Sequence, residues 1–208
     1  IMDVATRNRA CVPVCAANQW ETYVALKSWL GDHPERVRRA YSDNAPQLKA
    51  AVKELGINHE KSQPGIHKSN AIIERTNQEI QTMIRVACRQ AGLPACFWPY
   101  AGPCAVHLDN ISIDEETGES PWSKRNAGKQ FPGKAIPFGC GVYFLPAPTK
   151  YSNSKSAPRM TKGIFLGYRL HPGGRWNGEY LVVDLEDFVG KSLYTNAPGT
   201  DYRPFPHI

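Results

Sequence analysis

"RVRRAYSDNAPQLKAAVKELGI", residues 36–57, decides the fold class. Its first part, Val37–Ser42, reads as a short strand that stops at Asp43. Pro46 then opens a helical pattern that Gly56 closes, proline inside the start and glycine past the end being the usual punctuation of a helix. "INHEKSQ" (57–63) follows as a second strand or extended segment. Strand, helix and strand in so short a span predict an α/β unit. The stretch leaves one question open. Asp43 is either a turn residue and helix cap, as Asp often is, or one carboxylate of a metal-dependent site.

On the N-terminal side, "IMDVAT" (1–6) and "ACVPV" (10–14) carry β-branched residues around the turn-like Arg7-Asn8-Arg9 and predict a hairpin. "NQWETYVALKSWL" (18–30) places Trp20, Tyr23, Val24, Leu26 and Leu30 at near-helical spacing before Gly31. On the C-terminal side, the polar loop "PGIHKS" (64–69) leads into the longest helical pattern, Ala71 to Ala91. There Ile73, Ile80, Met83, Ile84, Ala87 and Ala91 make one apolar stripe, and Glu74, Asn77, Gln78, Gln81 and Arg85 lie on another face. "ACFWPYAGPCAVHLDN" (95–110) predicts a further helix, broken or kinked near Pro99 and Pro103.

The composition shifts after residue 110. Polar, Gly and Pro residues over 111–131 read as a linker. Beyond it, "GVYFLPA" (141–147), "KGIFLGYRL" (162–170) and "GEYLVVDL" (178–185) are strand-like, with Pro172-Gly173-Gly174 as a turn signal. The expected organisation is an α/β domain over 1–110, a linker, a small all-β unit over 132–195 and a tail over 196–208.

The chain has 208 residues, 41% hydrophobic and 21% charged, which is an ordinary globular mixture. It holds no apolar run near the ~18 residues of a membrane span, so no membrane partner is expected. Its start, at Ile1 in a strand-like run, reads as part of something longer. Six cysteines, at 11, 15, 88, 96, 104 and 140, include no CxxC pair. A zinc site is not expected, and reduced thiols of an intracellular protein are. Cys96 and Cys104 read as packing residues on one helix.

The net charge of +6 is unevenly placed: Pro121 to Arg175 carries ten Lys or Arg and no Asp or Glu. With Trp122, Phe138, Tyr143, Tyr151 and Tyr168 interleaved, that stretch suits a polyanion. Equally, it suits a soluble basic surface.

Glu74 lies 31 positions after Asp43, on the first turn of the long helix and off its apolar stripe. A strand-end and a helix carboxylate at this separation can converge at one sheet edge. Held together they repel unless a cation neutralises them, and Mg²⁺ takes oxygen ligands while keeping exchangeable waters. Any α/β domain offers such pairs, so spacing alone leaves both readings standing.

The neighbouring residues are more specific. "YSDNA" (41–45), "GINHEKSQPG" (56–65) and "SNAIIERTNQEI" (69–80) together resemble the DDE integrase core of long-terminal-repeat retrotransposons, most closely the copia type. The matches are Asp43-Asn44, Gly56-Ile57-Asn58-His59-Glu60, Asn70 and Glu74-Arg75-Thr76-Asn77. "AGLPACFWPYA" (91–101) is similar to the family's helix after the core, and the three β runs are similar to the SH3-like domain that follows it.

The resemblance implies an RNase H-like α/β core, N-terminally truncated, followed by a small SH3-like β-barrel. It implies that Asp43 and Glu74 are the second and third catalytic carboxylates and ligands of Mg²⁺ (or Mn²⁺), with the first on a strand outside this chain. Asn70 and Asn77 would lie near the DNA and the metal; Arg75 and Lys68 would meet phosphates. Its partners would be DNA, as element ends and target, and further copies of itself if active, with no small-molecule substrate and a nuclear location if functional.

Departures from the family accompany the matches. Asp3 aligns with a non-catalytic position and reads as a strand or turn residue. Ala45 and Ala71 stand where the family has glycine, and His67-Lys68 where it has Pro-Gln. Ala is poor where a backbone needs φ > 0 or close approach to a ligand. His59 and His67 read as core or surface residues. The expected function is therefore integrase-type DNA processing and strand transfer, inactive in the isolated chain. The alternative is a non-catalytic nucleic-acid-binding remnant, contacting its partner through Lys150, Lys155, Arg159 and Lys162.

Overall fold

A computed structural model describes residues 1–33, 35, 37–61, 71–146, 156, 158–191, 193 and 206–208. In chain order the elements are α1 (Gln19–Leu30), β1 (Arg39–Ser42), α2 (Pro46–Glu54), β2 (Asn58–Lys61), α3 (Ala71–Ala91), α4 (Trp98–Ile111), α5 (Pro121–Arg125), β3 (Gly141–Phe144), β4 (Thr161–His171) and β5 (Arg175–Asp184). The fold is mixed α/β with two small sheets: β1 and β2 pair in parallel, and β3-β4-β5 form an antiparallel meander. Among the described residues the meander is an open sheet, not a closed barrel. One bridge, Val182 to His207, adds the C-terminal residues to the edge of β5.

Residues 37–61 form the strand, helix and strand that their pattern predicts. Pro46 sits at the start of α2, and Gly56 follows its end at φ 69°, a conformation that costs glycine little. The parallel register Ala40–His59 and Ser42–Lys61 then follows from the short crossover through α2. Asn18 caps α1 by accepting the Glu21 N–H, and Gly31 ends it with its N–H on Lys27 O. No residue of α1 is buried, however, and Trp20 is 67% exposed. Its spacing forms a helix but not a core face.

The N-terminal hairpin shrinks to a single bridge, Met2 to Arg9, with the Ile1 ammonium on Ala10 O. Asp3 is the cause at one end. Its carboxylate accepts the Ala5 N–H at 3.0 Å and the Thr6 hydroxyl at 2.7 Å, which turns the chain before a ladder can grow. Pro13, with no N–H to give a ladder, accounts for the missing strand at 11–14.

The core lies where α3 and α4 meet β4. Phe97, Ala101 and Cys104 pack with Phe165, Leu166 and Val183, all within 1% exposure. On α3 the buried or half-buried residues are the expected stripe, joined by Thr76 and Cys88. α4 runs continuously through Pro103, with Pro99 in its first turn, where a missing N–H costs nothing.

Residues 111–131 also depart from expectation, since they hold α5 instead of an extended connection. Ser120 and Ser123 close a capping box, Ser123 N–H to Ser120 Oγ at 3.1 Å and Ser120 N–H to Ser123 Oγ at 3.1 Å. Trp122 is buried at 8% exposure. All six cysteines are free thiols. No helix among the described residues is long and apolar enough to cross a membrane.

Candidate functional site

Asp43 stands one residue past β1, exposed to solvent. Its Oδ1 accepts the Ala45 N–H at 3.2 Å, an Asx turn. It is not the cap of α2: that position is Ala45, which makes no side-chain bond. Ala45 takes φ −58°, an ordinary value, so alanine in place of the family's glycine strains nothing at this position. Beside it, Ser42 Oγ donates to Asp43 O at 2.9 Å and lies 2.8 Å from His59 Nε2. His59 therefore ties β2 to the end of β1. Arg39 and Glu60 pair across the strands at 2.8 Å, both exposed, where solvent screening leaves such a pair little net worth.

Glu74 occupies the first turn of α3, exposed, with Arg75 and Asn77 exposed beside it. Arg75 is engaged: its Nε donates to Glu79 at 3.2 Å, one helical turn on. Glu79 also takes Arg9 at 2.8 Å, and Arg9 reaches Asp109 on α4. The Arg9 side chain is only 15% exposed. Burial opposes its charge, but the hydrogen bonds and negative charge of Asp109 and Glu79 outweigh it and hold Arg9 above its ordinary pKa. Asn110, buried at 5%, accepts the Arg9 N–H at 2.9 Å and donates to Arg9 O at 2.7 Å. Sequence reading passed over Arg9, Asp109 and Asn110, because the partners lie about a hundred residues apart.

Asp43 and Glu74 thus sit on two packing units. α1 and β2 pack on α2 and β1 pairs with β2, whereas α3 packs on α4. Among the described residues no group of three or more His, Cys, Asp or Glu could hold a metal ion. The described donors, two exposed carboxylates of which one already accepts a backbone N–H, do not fit a complete Mg²⁺ site. Lys68, Asn70, His67, Lys150 and Lys155 lie outside the described residues. Arg159 and Lys162 are exposed, and Lys162 stands 5.9 Å over the Tyr143 ring across the β3–β4 pair.

A second feature escaped sequence reading. His107 of α4 is 2% exposed, and neither ring nitrogen has a hydrogen-bond partner. Aromatic rings surround it: Trp122 at 5.4 Å, Phe131 at 4.8 Å and Tyr168 at 4.3 Å. Burial pushes its pKa down to about 4. Tyr168 donates to Lys134 O at 2.7 Å and accepts the Ile136 N–H at 2.9 Å, and burial raises its phenol to about 12. The cluster joins the helices to the β-sheet.

Three curated proteins share this sequence pattern. The chain is 30% identical over 171 residues to the retrovirus-related Pol polyprotein from transposon RE1 of Arabidopsis thaliana, covering 80% of this chain and 11% of that protein. Its homologues are retrovirus-related Pol polyproteins of transposons. The Pol polyprotein from transposon RE2 of the same plant is 28% identical over 191 residues, 89% of this chain and 12% of that protein. The Pol polyprotein from transposon TNT 1-94 of Nicotiana tabacum is 30% identical over 142 residues, 64% and 10% respectively. The chain thus spans only 10 to 12% of the Pol polyproteins it matches. No family model matches it. Among solved structures, a chain of the simian T-cell lymphotropic virus intasome in complex with PP2A regulatory subunit B56 gamma is similar at TM-score 0.49 and 15% identity, over 79% of this chain and 63% of that one.

Proposed function

We propose that this Pol-related chain is the integrase-type segment of a copia-type retrotransposon polyprotein. In this reading residues 1–110 belong to an RNase H-like core and 132–195 to an SH3-like unit. The reaction of the longer protein is 3′-end processing of element DNA and strand transfer into target DNA, supported by a divalent metal such as Mg²⁺ or Mn²⁺. The observation that carries the reading is the identity to Pol polyproteins over most of the chain, coupled with Asp43 just past a strand and Glu74 exposed on a first helical turn. In this reading the isolated chain is inactive, because Asp43 and Glu74 sit on separate packing units and, among the described residues, neither belongs to a group of three that could hold a metal ion. A strand-transfer assay with Mg²⁺ tests this. Joined product that disappears on Glu74→Gln would overturn the claim of inactivity.

The exposed cross-strand pair Tyr143–Lys162 favours a second reading, nucleic-acid binding without catalysis. A ring that can stack on a base beside an ammonium that can meet a phosphate suits a DNA or RNA strand. Binding then falls steeply between about 50 and 200 mM salt. Each of Arg159→Gln and Lys162→Gln should lower the slope of log K against log salt by about 0.9 on duplex DNA if its residue meets a phosphate. Unchanged slopes for both variants would remove them from the interface.

A further inference from the structure

β3 and β4 leave an apolar strip in solvent at one end of the meander. Tyr143 stands opposite Lys162 in the register of the pair, and Phe144–Thr161 is its last rung. Leu145 and Met160 are the residues just beyond that rung. Side chains alternate along a strand, so both fall on the face that carries Tyr143 and Lys162. Tyr143 is 62% exposed, Leu145 71% and Met160 54%. The opposite face of β3 is already covered: Val142 and Phe144 are half-buried, and the Phe144 ring stacks on His207 at 5.6 Å.

Charge narrows what can cover the strip. Lys162 holds its ammonium 5.9 Å over the Tyr143 ring, and Arg159, next to Met160, is exposed. Both strands lie within the stretch from Pro121 to Arg175, which contains no Asp or Glu. Large apolar side chains grouped in water mark a binding surface, and a rim of one sign selects a polyanion. Duplex and single-stranded polyanions meet such a surface differently. A duplex keeps its base faces stacked inside and would press Tyr143, Leu145 and Met160 against a charged backbone. A single strand has free base faces, which stack on an aromatic ring whatever their sequence. A ribose 2′-hydroxyl would find nothing on Leu145 and only a weak sulfur acceptor on Met160, so a deoxyribose strand is desolvated at less cost.

We propose that the Tyr143–Leu145–Met160 strip binds single-stranded DNA, with unpaired bases on the strip and phosphates at Lys162 and Arg159. This inference rests on the nucleic-acid reading above and adds to it the strandedness of the ligand and the residues that select it. The two cations attract any nucleic acid, since they meet only phosphates. Tyr143 carries the discrimination, because its ring alone on the strip can stack on a base. Leu145 and Met160 widen the apolar floor on which the neighbouring base or sugar lies.

The test is fluorescence anisotropy of a labelled oligodeoxyuridylate, an oligouridylate and a mixed-sequence DNA duplex of the same length. Each is titrated with the full chain and with its Tyr143→Ala, Tyr143→Phe and Lys162→Gln variants. The wild type should bind the single-stranded DNA about tenfold more tightly than the duplex, and more tightly than the oligouridylate. Tyr143→Ala should weaken the single strand by about tenfold and leave the duplex unchanged, whereas Tyr143→Phe keeps the ring and the affinity. Lys162→Gln should lower the salt slope on every probe. Duplex bound as tightly as the single strand, oligouridylate bound more tightly than its deoxy counterpart, or Tyr143→Ala weakening all probes alike overturns the inference and leaves the nucleic-acid reading in place. Binding of none of the probes, or displacement by polyglutamate as effective as by unlabelled oligonucleotide, overturns both.

Discussion

His107 makes the stability of the protein depend on pH in a calculable way. In the unfolded chain the imidazole titrates at its ordinary value of 6.5; in the folded protein burial lowers that to about 4. Above about pH 6.5 the ring is neutral in both states and stability is complete. As pH falls toward 4 the unfolded state binds the proton first, so acid destabilises the fold. A separation of this size corresponds to about 3 kcal/mol in all, of which about 2 kcal/mol is already lost at pH 5. His107→Leu removes both the titration and two unpartnered buried nitrogens, so at pH 7.5 the variant should match or exceed the wild type. Urea unfolding followed by tryptophan fluorescence at pH 7.5, 6, 5 and 4.5 gives the two curves. The gap between variant and wild type should widen by about 2 kcal/mol from pH 7.5 to pH 5. A gap that stays constant would show that His107 is not held neutral, and the argument from its aromatic surroundings would fail.

Gly31→Ala should cost about 2 kcal/mol or more in the same unfolding assay, since φ is 71° and a Cβ would stand 2.8 Å from Gly173 Cα. Asn110→Ala leaves the Arg9 N–H and C=O without their partner, so a loss of about 2 kcal/mol is expected. Limited proteolysis should then cut residues 1–15 sooner; cleavage at the wild-type rate would refute the anchoring role. Ala127 sits at φ 52° in the turn after α5, so Ala127→Gly should raise stability by up to about 1 kcal/mol, checked by thermal unfolding.

Local signals carried the helices and strands that were legible in the sequence. Pro46, Gly56 and Gly31 act within a few residues of themselves, and each marks the boundary it was expected to mark. The stripe on α3 was legible for the same reason, because a helical period depends only on the chain around it. In residues 111–131 tertiary contacts override the local signals. Their polar, Gly- and Pro-rich composition is real, yet Trp122 and Phe131 bury themselves against His107 and Tyr168. Which distant ring an isolated aromatic will meet is tertiary information. For Asp43, the sequence could not separate a cap from a carboxylate free for other work. The geometry bears out the turn residue but not the cap: Asp43 is an exposed Asx-turn acceptor two residues before the cap position.

The two candidate carboxylates differ in what holds them. Glu74 rides on α3, which belongs to the body formed by α4 and the β-sheet through the shared core. Asp43 follows β1, which pairs with β2 and is joined through β2 to α2 and α1. The second unit meets the first where α1 ends against the β4–β5 turn. There the Arg125 guanidinium lies 4.5 Å over the Trp29 ring and donates to Trp29 O at 2.9 Å, and Gly31 abuts Gly173. Removing Arg125 should therefore shift backbone amides around β1 and α2 in an NMR spectrum, while those of α3 near Glu74 keep their positions. Equal shifts in both units would mean that the two carboxylates move as one body.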